Sequence, residues 1–263
     1  ALLRPRTRWV LRRMAALSHW PDAIIYNSRA SAQQHEALGY DAARTRVLPN
    51  GFDLDHFRPD PEARRGVRAE LGLGSAVPLI GIVARHHPVK DHECFLRAAL
   101  RLERRGSPAH FLMAGRGVDS PIMRARIDRL GLDGRVHALG ERQDIPRLTA
   151  ALDVGTCSSV SESFPNAVGE AMACGVPCAV TDVGDAAWMV DNTGLVVKPR
   201  DPRGLCLAWQ KLLAMPAPDR ARLGAAARER MALHFGLARV AGLYEELWTE
   251  VLERRARPAA AAA

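Results

Sequence analysis

A chain of 263 residues, 48% hydrophobic and 25% charged, has the composition of an ordinary globular protein, long enough for one large domain or one domain plus part of another. Its net charge of +8 first reads as a nucleic-acid footprint, but only Lys90, Lys198 and Lys211 are lysines, and the arginines are spread over helical stretches without interleaved aromatics. That distribution argues against nucleic-acid binding and for an arginine-rich source composition, while leaving anionic substrates open.

Five cysteines (Cys94, Cys157, Cys174, Cys178 and Cys206), an odd number without a repeated C-x-x-C, argue against a disulfide framework or zinc knuckle. They read as small buried side chains in a reducing, cytoplasmic compartment. No apolar run approaches the ~20 residues that span a bilayer, and no secretory signal is evident. The start at Ala1 reads as a processing or cutting boundary, and the alanine-rich tail 258–263 as disordered.

In chain order, residues 23–26 (AIIY) predict a strand, and Asn27 or Ser28 caps a helix through Leu38. Residues 47–61 (VLPNGFDLDHFRPDP) hold three prolines and read as a connector. Asp53 and Asp55 lie inside it rather than at a strand end, which favours turn chemistry over a metal site. Two periodicities then alternate. Strands are predicted over 78–84, 110–114, 135–139, 154–157, 176–181 and 194–197. Helices fall over 92–105, 122–130, 145–151, 167–173, 186–190 and 203–213. The strands lack inside/outside alternation, as they must when helices cover both faces. The expected fold is therefore α/β, a doubly wound, parallel, six-stranded, Rossmann-like sheet. Two further helices are expected around 223–235 and 240–254.

Three segments carry chemistry. In residues 162–170 (ESFPNAVGE), Glu162 belongs to a loop and Glu170 lies one turn into a helix. Between them the N–H groups of Asn166, Ala167 and Val168 are expected to be the free donors of the helix start, suited to phosphate. The alternative is a helix N-terminus carrying acids only for its dipole. Residues 81–91 (GIVARHHPVKD) end a strand with Arg85 and Lys90, two cations able to neutralise a diphosphate or simply two solvated loop charges. His86, His87 and His92 tempt a metal reading, but no acidic or thiol partner has ligand spacing, so no metal is expected. Gly115-Arg116-Gly117 follows a strand as a dinucleotide fingerprint does, yet Ser120 stands at the third glycine, which weakens a nicotinamide reading.

The combination resembles the C-terminal half of the retaining glycosyltransferases of family 4, the group 1 transferases of the two-domain GT-B type. The matching stretches, in order, are Val47-Leu48-Pro49-Asn50-Gly51-Phe52-Asp53, Ile82-Val83-Ala84-Arg85 with Lys90-Asp91, and Leu112-Met113-Ala114-Gly115. They continue with Leu139-Gly140, Asp144-Ile145-Pro146, 158–166 (SSVSESFPN), 170–177 (EAMACGVP) and Thr193-Gly194-Leu195-Val196. The resemblance implies that Arg85 and Lys90 hold the donor diphosphate as it leaves and that Glu162 contacts donor-sugar hydroxyls. It also implies that Gly115, Phe164, Pro165, Asn166, Ala167 and Val168 line the sugar and phosphate site, that Glu170 binds the ribose, and that the loop 140–142, with Arg142, borders the base. The implied reaction moves a sugar from a UDP- or GDP-sugar to an acceptor hydroxyl with retention, without metal or cofactor, in a setting such as polysaccharide assembly. The alternative is a stand-alone nucleotide-binding module that works with a partner chain.

Ala84, Asp91 and Ser163 stand where the family often has glycine. The resemblance also divides the chain. Residues 1–50 are expected to be a remnant of an N-terminal acceptor domain with the connector, and 51–242 the nucleotide-sugar domain. A crossover helix follows over 243–257, with Leu243, Leu247, Trp248 and Val251 partly exposed. The basic start (Arg4, Arg6, Arg8, Arg12 and Arg13 among Leu2, Leu3, Trp9, Val10 and Leu11) is either the solvated face of a helix or a peripheral contact with the inner, anionic membrane face.

Overall fold

The computed structural model describes residues 5–256; Leu2, Leu3, Arg4 and the alanine tail lie outside the described residues. Helix α1 (Pro5–Ala16) leads into a small βαβ unit of β1 (Ile24–Tyr26), α2 (Arg29–Glu36) and β2 (Thr45–Val47), whose strands pair in parallel with Ile25 opposite Arg46. After the connector come α3 (Pro61–Glu70), β3 (Leu79–Val83), α4 (His92–Glu103), β4 (His110–Ala114), α5 (Pro121–Arg129), β5 (Val136–Ala138) and α6 (Ile145–Ala150). The second half runs β6 (Val154–Cys157), α7 (Asn166–Ala173), β7 (Cys178–Thr181), α8 (Ala186–Val190), β8 (Gly194–Val197), α9 (Pro202–Ala214), α10 (Ala217–Phe235) and α11 (Leu237–Ala256).

The six strands β3 to β8 form one all-parallel sheet in the order β5-β4-β3-β6-β7-β8. The doubly wound fold is as expected, and each strand falls within or against its predicted run. The chain winds outward from β3 in one direction and from β6 in the other. β3 and β6 are therefore the neighbours at which the winding reverses, and their C-terminal ends border the crevice where such sheets take ligands. Two buried clusters cover the faces. On one face, Trp209 of α9 is wholly buried and packs edge-on against Phe95 (ring centroids 5.3 Å apart), with its indole N–H donating to Thr156 Oγ1 at 3.0 Å. On the other, the rings of Phe52 of the connector, Phe164 and Phe235 pack in series, tilted to one another, with centroids 6.2 and 5.7 Å apart.

α11 runs unbroken through Gly242 back toward the N-terminal unit, where Arg46 pairs with Glu250 at 3.3 Å and Arg255 with Asp22. Leu247 is buried on this route, contrary to the expected partial exposure, whereas Trp248 and Leu252 stand in solvent. Trp9, Val10, Met14 and Trp20 are also exposed. No helix of the described residues is long and apolar enough to cross a membrane, and all five cysteines are buried free thiols.

Candidate active site

The crevice is built by loops whose conformation has local causes. After β3 the chain turns through 84–91 and makes a short 3₁₀ turn, Pro88–Lys90. Asp91 then adopts a left-handed φ of +45° and caps α4 by accepting the Cys94 N–H at 3.1 Å. A left-handed φ is the region that favours glycine, and aspartate tolerates it because its short carboxylate bonds the local backbone. The loop after β6 grips this one. Ser158 Oγ donates to the carbonyls of Lys90 (2.8 Å) and Asp91 (3.1 Å), and the Val160 N–H donates to the Val89 carbonyl.

These contacts bring Lys90 and Glu162 together across the switch point. Lys90 Nζ lies 2.5 Å from Glu162 Oε1, which also accepts the Ser159 hydroxyl at 2.6 Å. Glu162 is 12% exposed and Lys90 28%, so the pair is partly dehydrated, and a charge–charge contact there is stronger than at an open surface. Arg85 projects into solvent and makes no ion pair among the described residues. Gly115 sits beside it for a steric reason: its φ is +140°, and a Cβ there would meet the Ala84 carbonyl oxygen at 2.4 Å and the Arg85 nitrogen at 2.8 Å. The Gly115 N–H donates to the Gly140 carbonyl (2.7 Å), so the loops after β3, β4 and β5 are stitched edge to edge. The three histidines do not converge. His92 is buried with burial pushing its pKa down to about 4, edge-on to His86, while His87 Nδ1 accepts the Val89 N–H.

The other expected site residues are placed as follows. α7 begins at Asn166 with Pro165 as its N-cap and no side-chain cap. One expectation needs correction: the Val168 N–H is not free, because it turns back to the Pro165 carbonyl at 3.0 Å in a tight first turn, which leaves Asn166 and Ala167 at the mouth of the helix. The Phe164 ring is buried between Phe52 and Phe235 and anchors the loop. Asn166 Oδ1 accepts Asn50 Nδ2 at 2.7 Å. With Glu170, these two line a cavity of about 530 Å³ bounded by Phe52, Asp53 and Tyr244. Burial raises the Glu170 pKa, with His56 opposing weakly. Glu170 has no hydrogen bond to the Lys90–Glu162 pair. The Arg142 guanidinium is bidentate on Asp144 (2.8 and 2.8 Å) and bonds Glu70 at 3.0 Å, so the loop at the expected base edge is locked to α3.

Comparison with known proteins decides the family. The model of "Glycosyl transferases group 1" matches residues 77–215, more than half of the chain, and that of "Glycosyltransferase Family 4" matches residues 1–56. The chain belongs to the group 1 glycosyl transferases. It is 36% identical over 217 residues to a D-inositol 3-phosphate glycosyltransferase of Mycolicibacterium paratuberculosis, covering 78% of this chain and 48% of that protein. The chain thus spans about half the length of the curated relatives it matches. Among solved structures it is similar to Anabaena Alr3699/HepE in complex with UDP (25% identity, TM-score 0.86, covering 94% of this chain and 70% of that one). The same protein with UDP and glucose gives a TM-score of 0.84 at 25% identity, covering 95% and 70%. Family membership, GT-B likeness and the parallel sheet agree with the expectations drawn from the motifs.

Two residues next to the Glu162 loop escaped sequence reading: Ser159, whose hydroxyl donates to the Glu162 carboxylate, and Asp185, outside the site itself, whose N–H donates to the Ser163 carbonyl. Ser159 sits in a serine-rich run that offers no signal for one member over another. Asp185 precedes a helix and reads as that helix's own cap.

Proposed function

We propose that this chain carries the donor half of a retaining, metal-independent glycosyltransferase that takes the sugar of a nucleotide diphosphate sugar, a UDP-sugar foremost, to an acceptor hydroxyl. The observation that carries the proposal is the Lys90–Glu162 pair at the switch point, with Arg85 at the same strand end. The binding of UDP by the Anabaena protein supports uridine as the base. In this reading the diphosphate docks between Arg85, Lys90 and the N–H groups at the mouth of α7, and Lys90 passes from Glu162 to phosphate. Glu162, released and still held by Ser159, accepts hydrogen bonds from the donor sugar, and Glu170 takes the ribose hydroxyls. As the glycosidic bond to the diphosphate lengthens, positive charge gathers on the anomeric carbon and negative charge on the leaving phosphate. Fixed cations already aimed there stabilise that separation without reorganising. Acceptor contacts fall to the N-terminal portion of the enzyme, and peripheral membrane contact to the exposed Trp9 and arginine face of α1.

Glu162→Gln separates the two roles. It keeps an acceptor for Ser159, loses the sugar-binding charge and frees Lys90. UDP affinity is expected to hold or tighten by up to ~3-fold while UDP-glucose affinity falls by ~10-fold or more, measured by calorimetry. Equal weakening of both ligands would remove Glu162 from sugar recognition.

A further inference from the structure

Asp185 occupies the N-cap position of α8 yet makes no cap bond to it. Its carboxylate, 3% exposed, reaches across to α2 instead, accepting the N–H of Arg29 at 2.7 Å and of Ala30 at 2.9 Å. Ser28 Oγ takes the Ser31 N–H, so three of the donors that a helix start leaves open are satisfied, two of them by a residue more than 150 positions away. The helix dipole adds to the attraction. The Arg29 guanidinium closes the contact by lying 3.9 Å over the Trp188 ring.

The same segment holds the Glu162 loop from below. The Asp185 N–H donates to the Ser163 carbonyl at 3.0 Å. Gly184, at φ +55°, lies so close that a Cβ would meet the carbonyl oxygens of Glu162 and Ser163 at 2.5 Å each. The Ser163 hydroxyl donates to Asn27 Oδ1 at 3.0 Å and lies within 2.8 Å of the Ser28 and Ser31 hydroxyls. That is the full complement of one donated and two accepted bonds, none of which glycine could make.

We propose that Asp185, with Ser163, is a positioning residue that clasps α2 to the loop bearing Glu162 and thereby sets the geometry of that carboxylate. The inference deepens the proposed function and rests on its reading of Glu162. Asp185 touches no substrate. It acts through the Ser163 peptide, one residue from the carboxylate that meets the sugar, so docking of the N-terminal segment and shaping of the sugar site become one event.

Hydrogen exchange and calorimetry on the whole chain test this together. Asp185→Ala is expected to raise exchange of the first-turn amides of α2 and of residues 158–164 together, by ~10-fold or more, since it removes a buried acceptor of two bonds. UDP affinity should stay within about 2-fold while the preference for UDP-glucose over UDP falls by ~5- to 10-fold. Asp185→Asn, which keeps one oxygen acceptor, should recover part of both effects, and Ser163→Ala should give a weaker version should Asp185→Ala fail to fold. Fraying of α2 alone, with residues 158–164 still protected and the sugar preference unchanged, would overturn the clasp. Absence of nucleotide binding by the unaltered protein would instead sink the reading of the site, and the exchange pattern would still decide the clasp.

Discussion

The Arg85→Ala, Lys90→Ala double variant is expected to bind a nucleoside diphosphate ~10²–10³-fold more weakly than the unaltered chain, with little change in melting temperature. Arg85 is exposed and Lys90 partly so, and neither packs in a core cluster, so folding depends little on them. A diphosphate in the crevice depends on both, because a truncated cation leaves ligand charge desolvated and unpaired. Lys90→Ala alone carries an added penalty: it strands the Glu162 carboxylate beside the phosphate. Adding Glu162→Gln to Lys90→Ala should therefore restore part of the lost UDP affinity, a non-additivity that a double-mutant cycle reads directly. Additive losses would mean that the observed 2.5 Å ion pair does not share the phosphate's site.

The second large effect concerns stability, at the opposite end of the same two strands. Asp153, just before β6, is 8% exposed at its side chain and bonds Arg68 Nη2 (2.5 Å), Arg64 Nη2 (2.7 Å) and the Leu79 N–H that opens β3 (2.8 Å). The Arg68 side chain is 4% exposed, and burial lowers its pKa against the opposing pull of Asp153. Asp153→Ala leaves the buried Arg68 guanidinium without a counter-charge, held only by the Gly74 and Val77 carbonyls, and a strand-end N–H unpaired, a loss of about 3–5 kcal/mol. For a domain of this size that corresponds to a melting temperature lower by ~10 °C. Asp153→Asn keeps the backbone acceptor and should lie between the two. Because the cluster lies at the N-terminal ends of the strands, UDP affinity measured well below the transition should remain unchanged. A melting temperature within 2 °C of the parent's for Asp153→Ala, an expected shift being several times that, would contradict this account.

The sheet was legible because runs such as PLIGIVA and HFLMA are apolar on both faces and are punctuated by amphipathic helices. Strand order was not: nothing local in 79–83 says that it pairs with both 110–114 and 154–157, and that pairing creates the switch point. α3 went unread because Arg64, Arg65, Gly66 and Arg68 dilute its apolar stripe, and two of those arginines turn inward to an acid 85 or more residues distant. Within the site, the loop place of Glu162 and the helical place of Glu170 followed from spacing. The burial of Phe164 and the internal bond of Val168 did not, since both depend on how tightly the first turn of α7 seats on Phe52 and Phe235. Asp185 was hidden for the same reason as α3: its partners are distant in sequence and close only in the fold.

Calorimetric titration of the unaltered chain with UDP, GDP and ADP in the presence of a metal chelator, beside the Arg85→Ala, Lys90→Ala variant, puts the donor site to the test. Chelator-resistant binding of UDP in preference to GDP and ADP is expected, weakened by ~10²–10³-fold in the variant. Binding that vanishes with chelator, or that survives loss of both cations, would contradict a donor site built on Arg85, Lys90 and Glu162.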